Sequence, residues 1–144
     1  MDLAGVLRDY TFCIAYAPLP DEVDIRAKLP AHLEVQVLTD DPHTNPASEA
    51  TRAAEVARRH EAVVLLPGQR FDMSGTRYGR GGGWYDRFLS ATPKEWLRIG
   101  TCFSDQMSDG VLTREPWDEP VDFVLVVSRD DGQVRLVETK ARAS

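Results

Sequence analysis

The chain has 144 residues and a formal net charge of −6, with 42% hydrophobic and 28% charged residues. That length suits one domain over residues 1–144 with a sizeable core, and the balance of apolar and charged residues argues against global disorder. An acidic chain is a poor prior for a nucleic-acid binder, although a local basic site is compatible with it.

Residues 1–10 lack the charged start and apolar stretch of a secretory signal, and apolar runs such as Ala62 to Leu66 are too short to span a bilayer. A cytoplasmic protein without membrane partners is expected. Thr11 to Tyr16 reads as a strand stopped by Pro18 and Pro20, and Leu33 to Leu38 alternates like a half-exposed strand. After a polar loop from Thr39 to Pro46, Asn45 and Pro46 suit a helix start, and Ala47 to His60 reads as that helix, with Arg58 and Arg59 near its end. The continuous apolar run Ala62 to Leu66 has the pattern of a parallel strand buried on both faces.

A glycine-rich loop follows from Gly75 to Gly83, then a helix from Trp84 to Ser90. Strands are predicted at Leu97 to Phe103, Phe123 to Val127 and Gln133 to Val137, the last two joined by a hairpin turn at Arg129 to Gly132. Alternating strands and helices predict an α/β fold. A three-layer α/β/α arrangement is expected, with a mainly parallel sheet and a C-terminal hairpin. Cys13 and Cys102 lie in apolar contexts and read as buried free thiols. His32, His43 and His60 are scattered and read as surface residues.

Leu66 to Leu89 carries the strongest functional signal. It follows a buried strand and leads into a helix, and ligands of open α/β sheets bind at the carboxyl ends of strands. Gly79, Gly81, Gly82 and Gly83 allow the backbone to approach a ligand closely and to turn its N–H groups toward an anion. A helix starting near Trp84 adds its positive end. Arg70, Arg77, Arg80 and Arg87 outnumber Asp72 and Asp86, a local basic patch in an acidic chain. No Gly-Lys-Ser/Thr follows, so this is not a Walker loop. A flexible structural loop is the competing reading. Asp86, in the first helical turn, is either a favourable dipole partner or a Mg²⁺ ligand beside phosphates. Trp84 and Tyr85 are either core residues or a platform for a flat ligand.

The order Pro67-Gly68, Phe71-Asp72, Gly75-x-Arg77-x-Gly79-x-Gly81-Gly82-Gly83-Trp84-Tyr85-Asp86-Arg87-Phe88-Leu89 resembles the signature of the 5-formyltetrahydrofolate cyclo-ligase (methenyltetrahydrofolate synthetase) family. Ile99-Gly100 with Phe103 and Gln106, Glu115-x-x-Asp118-x-x-Val121-Asp122 and, more loosely, Ala15-Tyr16 through Glu22-Val23-Asp24 extend the resemblance. It implies an ATP- and Mg²⁺-dependent ligase of one-carbon metabolism that cyclises 5-formyltetrahydrofolate to 5,10-methenyltetrahydrofolate through a phosphorylated formyl group. By the same resemblance Arg77 and Tyr85 are catalytic. ATP is held by Arg77, Gly79, Arg80, Gly81, Gly82, Gly83, Trp84, Tyr85 and Asp86. Glu22 and Tyr85 meet the reduced folate, and Asp86 and Asp118 hold Mg²⁺.

Two departures accompany it. The family's usual N-terminal helix with phosphate-reaching Lys and Arg has no room before Thr11, and the stretch from Glu22 to Val63 lacks a unit that walls the folate site. The chain therefore reads as a compact member of the family, monomer or dimer. The alternatives are a paralogue that binds a nucleotide or another phosphorylated ligand without this activity, and a protein-binding domain that has kept the loop.

Overall fold

A computed structural model describes residues 2–38, 43–57, 62–81 and 83–143. The elements in chain order are helix α1 (Leu3–Leu7), strand β1 (Phe12–Tyr16), a 3-10 turn (Arg26–Lys28), β2 (Glu34–Leu38), α2 (Pro46–Ala57) and β3 (Ala62–Pro67). They continue with β4 (Arg70–Phe71), β5 (Arg77–Tyr78), α3 (Trp84–Ala91), β6 (Leu97–Phe103), a 3-10 turn (Ser104–Gln106), β7 (Phe123–Val127), β8 (Val134–Glu138) and α4 (Lys140–Ala143).

Six strands form one sheet in the order β2-β1-β3-β6-β7-β8. The first four pairings are parallel, and β8 returns antiparallel to β7 as the expected C-terminal hairpin. The connections through α2 and α3 run in the same direction along the sheet. Right-handed crossovers therefore put both helices on one face, where they pack together. The connection from β1 to β2 runs the other way, so it crosses the opposite face, with Val23 and Ile25 buried. β1, β3 and β7 are buried along their whole length, which explains their unbroken apolar sequences.

Local signals account for several boundaries. The Asn45 side chain accepts hydrogen bonds from the N–H groups of Ala47 (2.9 Å) and Ser48 (3.2 Å), capping α2. Arg58, Arg59 and His60, and the Thr39 to Pro42 part of the expected loop, lie outside the described residues. β2 sits at the edge of the sheet and exposes Val35 and Val37, while Leu38 is buried. The alternation expected of a half-exposed strand is not reproduced: Glu34, Val35 and Val37 are all exposed and only Leu38 is buried, because β2 is an edge strand. The stretch expected as a loop from Gly75 departs from expectation at Arg77–Tyr78, which pair with Arg70–Phe71 as a short hairpin. Two-residue strands are too short to leave a periodic pattern.

The hairpin is held by Asp72. Its buried carboxylate accepts from the Ser74 N–H (3.0 Å), the Ser74 hydroxyl (2.7 Å), the Thr76 N–H (3.0 Å) and the Leu112 N–H (2.7 Å). Burial alone would raise its pKa, and these bonds to the charged form outweigh that and lower it. Cys13 and Cys102 are buried free thiols, each pushed up to about 12 chiefly by burial. His32 is exposed, with its Nε2 within 3.1 Å of the Leu7 carbonyl and 2.9 Å of the Tyr10 carbonyl. Among the described residues no helix is long and apolar enough to cross a membrane.

Candidate active site

Strand order locates the site. β1 is followed by its neighbour on one side, β2, and β3 lies on its other side. The chain direction thus reverses between β1 and β3, and such switch points open a crevice at the carboxyl ends of the strands. A cleft of about 680 Å³ lies there. Glu22, beyond the end of β1, and Pro67 and Gly68, at the end of β3, line it. So do the hairpin residues Arg77 and Tyr78, the glycine loop, the first turn of α3, and Trp117 with Asp118.

Residues expected from separate stretches of sequence therefore meet. Glu22, Arg77, Gly79, Arg80, Gly81, Gly83, Trp84, Tyr85, Asp86 and Asp118 all border this one cleft. Gly82 lies outside the described residues. Sequence reasoning did not single out Gln69, Tyr78 or Trp117 as site residues. Trp117 carried a signal in retrospect, since it precedes Asp118 within the matched acidic motif.

The loop before α3 needs glycine at two described positions. Gly81 has φ +97° and Gly83, the N-cap of α3, has φ +67°. Among the described residues no side chain caps α3 at Gly83, and the N–H groups of its first turn, which lack intrahelical acceptors as at any helix start, stand beside the cleft.

Arg77 is anchored before any ligand arrives. Its Nε donates to the Pro67 carbonyl (2.5 Å), and its guanidinium carbon lies 4.9 Å from the centre of the Tyr85 ring. Trp84 and Tyr85 are both buried, so they are core residues that also form part of the cleft wall. Trp84 stacks on Phe88 at 5.6 Å and meets Tyr85 edge-on at 5.2 Å.

Arg80 is engaged by acids. Nη2 lies 2.5 Å from Asp21, and Nε lies 3.5 Å from Glu22. The Arg80 hydrogen bond holds the Asp21 carboxyl below the usual carboxylate range. The residue expected at phosphates and the residue expected at the pterin are therefore partners of each other. Both Arg80 and Asp21 are substantially exposed, and exposed pairs of this kind are worth little, so an incoming anion can exchange with Asp21. Glu22 is further fixed by the Leu19 N–H (2.9 Å). Its neighbour Val23 is held through its carbonyl by the hydroxyl of buried Tyr16, which also bonds the Thr101 hydroxyl.

The two carboxylates expected to hold a metal come together. Asp86, half-buried in the first turn of α3, accepts from the Glu119 N–H (3.0 Å) and lies beside Asp118. Asp118 closes its own turn, accepting from the Glu115 N–H (2.8 Å). Burial raises the Asp86 pKa, and Asp118 pushes it the same way, against the Glu119 N–H and Arg77. Two carboxylates in contact call for a cation or a shared proton between them. Their oxygen donors suit Mg²⁺, which commonly takes one or two carboxylates together with substrate phosphates. Among the described residues no group of three or more His, Cys, Asp or Glu could hold a metal ion.

The model of the 5-formyltetrahydrofolate cyclo-ligase family matches residues 22–127. A 61-residue stretch is 37% identical to the 5-formyltetrahydrofolate cyclo-ligase of Mycoplasma genitalium, covering 42% of this chain and 36% of that protein. A 75-residue stretch is 38% identical to the mitochondrial 5-formyltetrahydrofolate cyclo-ligase of Arabidopsis thaliana, covering 46% and 27%. The match thus spans about a third of these relatives' length. Among solved structures, the chain resembles the 5,10-methenyltetrahydrofolate synthetase of Mycoplasma pneumoniae at a TM-score of 0.53 and 22% identity, over 81% of this chain and 73% of that one. It resembles that of Aquifex aeolicus at a TM-score of 0.55 and 23% identity, over 91% and 77%. The two structural likenesses establish the α/β fold.

Proposed function

This chain belongs to the 5-formyltetrahydrofolate cyclo-ligase family, and we propose that it closes 5-formyltetrahydrofolate to 5,10-methenyltetrahydrofolate at the expense of ATP. The supporting observation is convergence: residues from four separate stretches of sequence border one cleft at the switch point of the sheet. In this reading the formyl oxygen attacks the γ-phosphorus of ATP and ADP leaves. The neighbouring bridge nitrogen then attacks the formyl carbon and gives up its proton to solvent, and phosphate departs with the former formyl oxygen.

Phosphoryl transfer asks of the protein mainly positioning and neutralisation of charge. Arg77, already anchored on the Pro67 carbonyl, presents its charge to the phosphates without a large entropic cost. The uncapped first turn of α3 and the glycine loop offer N–H donors to the same oxygens. Arg80 turns from Asp21 toward the phosphates. Asp86 and Asp118 would hold Mg²⁺, whose chemistry is to neutralise phosphate oxygens and to orient the transferred group. Tyr85 and Trp84 wall the site and restrict water there. Glu22 accepts hydrogen bonds from the donor edge of the pterin.

The test is turnover. Purified protein with 5-formyltetrahydrofolate, Mg²⁺ and ATP is expected to form the methenyl product, followed by its near-ultraviolet absorbance. Asp86→Ala is expected to lower the rate by about 100-fold or more, the scale of losing one electrostatic contact to the transition state. A folded wild-type protein with no ATP-dependent product overturns the reading. Binding of Mg-ATP without turnover would support instead a nucleotide-binding paralogue.

A further inference from the structure

Trp117 is 68% exposed, whereas the other two tryptophans, Trp84 and Trp96, are 8% and 4% exposed. An indole in water forgoes a large hydrophobic gain. A floppy segment would account for it, but this segment is bolted down along its length. The Ser108 N–H donates to the Phe71 carbonyl (2.7 Å) and the Leu112 N–H to Asp72 (2.7 Å). The Tyr78 hydroxyl donates to the Thr113 carbonyl (2.7 Å), and Arg114 donates to the Thr76 hydroxyl (3.0 Å) and the Ser74 carbonyl (2.8 Å). Glu115 and Asp118 close a turn around Trp117 through two bonds, and the Glu119 N–H then reaches Asp86. The backbone is fixed on both sides of Trp117 while its side chain stands out at the rim of the cleft, next to a carboxylate of the candidate metal pair.

We propose that Trp117 is a stacking platform for the flat heteroaromatic ring of a ligand bound in this cleft. The inference deepens the functional reading above and rests on it. Two ligands of that reading carry such a ring, the nucleobase of ATP and the pterin of the folate. Both meet an indole through the same ring-face chemistry, and base–aromatic stacking lost to alanine typically weakens binding by roughly 5- to 100-fold. A charged or hydrogen-bonding side chain at the rim would not supply this contact. Phenylalanine would supply most of it.

Calorimetric titrations of wild type, Trp117→Ala and Trp117→Phe with Mg-ATP, Mg-tripolyphosphate and 5-formyltetrahydrofolate test it. Tripolyphosphate carries the phosphates and no ring. The expected result is that Trp117→Ala weakens at least one ring-bearing ligand about tenfold, that Trp117→Phe restores most of that affinity, and that tripolyphosphate binding is unchanged. Loss confined to Mg-ATP assigns the platform to the nucleobase, and loss confined to the folate assigns it to the pterin. In wild type, the bound ring is also expected to shield the exposed tryptophan emission from iodide. Unchanged affinity for both ring-bearing ligands overturns the platform and leaves the functional reading standing. Equal weakening of tripolyphosphate also overturns it, because the side chain would then act through the Asp118 turn. Wild type that binds neither ring-bearing ligand overturns both readings.

Discussion

Asp86 shows how a residue proposed to hold a metal would work against the stability of its own fold. Burial and the neighbouring Asp118 raise its pKa above the ordinary 3.8, so the folded state holds the proton more tightly than the unfolded chain does. The stabilising contribution of the protonated form is complete below 3.8 and is lost as pH rises through the raised folded value. At pH 7 the ionised pair is therefore a burden on the empty protein. Asp86→Asn removes the charge and keeps an acceptor for the Glu119 N–H. The variant is expected to melt above wild type at pH 7, with the gap shrinking toward pH 4, and to lose Mg-ATP-dependent turnover. Melting curves at the two pH values check the first part. A variant that melts lower than wild type at pH 7 would refute this account of the pair. Gly100 illustrates the opposite case, a residue fixed purely by space. A Cβ there would sit 2.2 Å from the buried Phe71 ring, which cannot retreat into solvent. Gly100→Ala is expected to destabilise by about 1–3 kcal/mol in denaturant titrations, the range for overpacking a filled core.

Between elements, Arg98, a buried residue of β6, links α3 to the loop of residues 119–122. Its guanidinium donates to the Leu89 carbonyl near the end of α3 (3.3 Å) and to the Pro120 carbonyl (3.3 Å), and lies 3.6 Å from the Glu119 carboxylate. Its backbone exchanges bonds with Asp122. One side chain thus ties α3, which carries Asp86, to the segment that carries Asp118. Arg98→Met leaves the Leu89 and Pro120 carbonyls without their donor and Glu119 with Lys94 alone, and a loss of roughly 1–3 kcal/mol is expected by denaturant titration. The Mg²⁺ concentration for half-maximal turnover is expected to rise as well, and an unchanged Mg²⁺ requirement would show that Arg98 holds the fold alone. Legibility differed among elements for physical reasons. The strands β3 and β7 and the cap of α2 were readable because burial on both faces and an Asn-Pro start are one-dimensional signals. The β4–β5 hairpin was not, since Asp72 organises it through bonds to residues as distant as Leu112. Arg98 was equally invisible, because a charged residue inside an apolar strand declares its partners only once the loop of residues 119–122 has folded over it.

At the scale of the whole molecule, the chain is acidic, with net charge −6, yet the cleft at the switch point is lined by Arg77, Arg80 and Arg87. The motif that gathers these arginines was plain in the sequence. Its position beside Glu22 was suggested only by resemblance, because the switch between β1 and β3 is a property of strand order. The arrangement makes a prediction about linkage. Asp118 raises the Asp86 pKa as a neighbouring like charge does, while Arg77 is bonded to the Pro67 carbonyl and Arg80 to Asp21. On the proposed reading, Mg-ATP would place a cation between the two carboxylates and relieve their repulsion, whereas ATP without metal would leave them facing the triphosphate. Binding to the folded state alone at 100 times the dissociation constant contributes about 2.7 kcal/mol. For a chain of this length that corresponds to a rise in melting temperature of roughly 5–10 °C. Mg-ATP is expected to produce a rise of that order, ATP with a chelator a much smaller one, and added salt is expected to diminish both. Equal shifts with and without Mg²⁺ would separate the carboxylate pair from the phosphate site. The Asp86–Asp118 contact would then have to be explained by a shared proton alone.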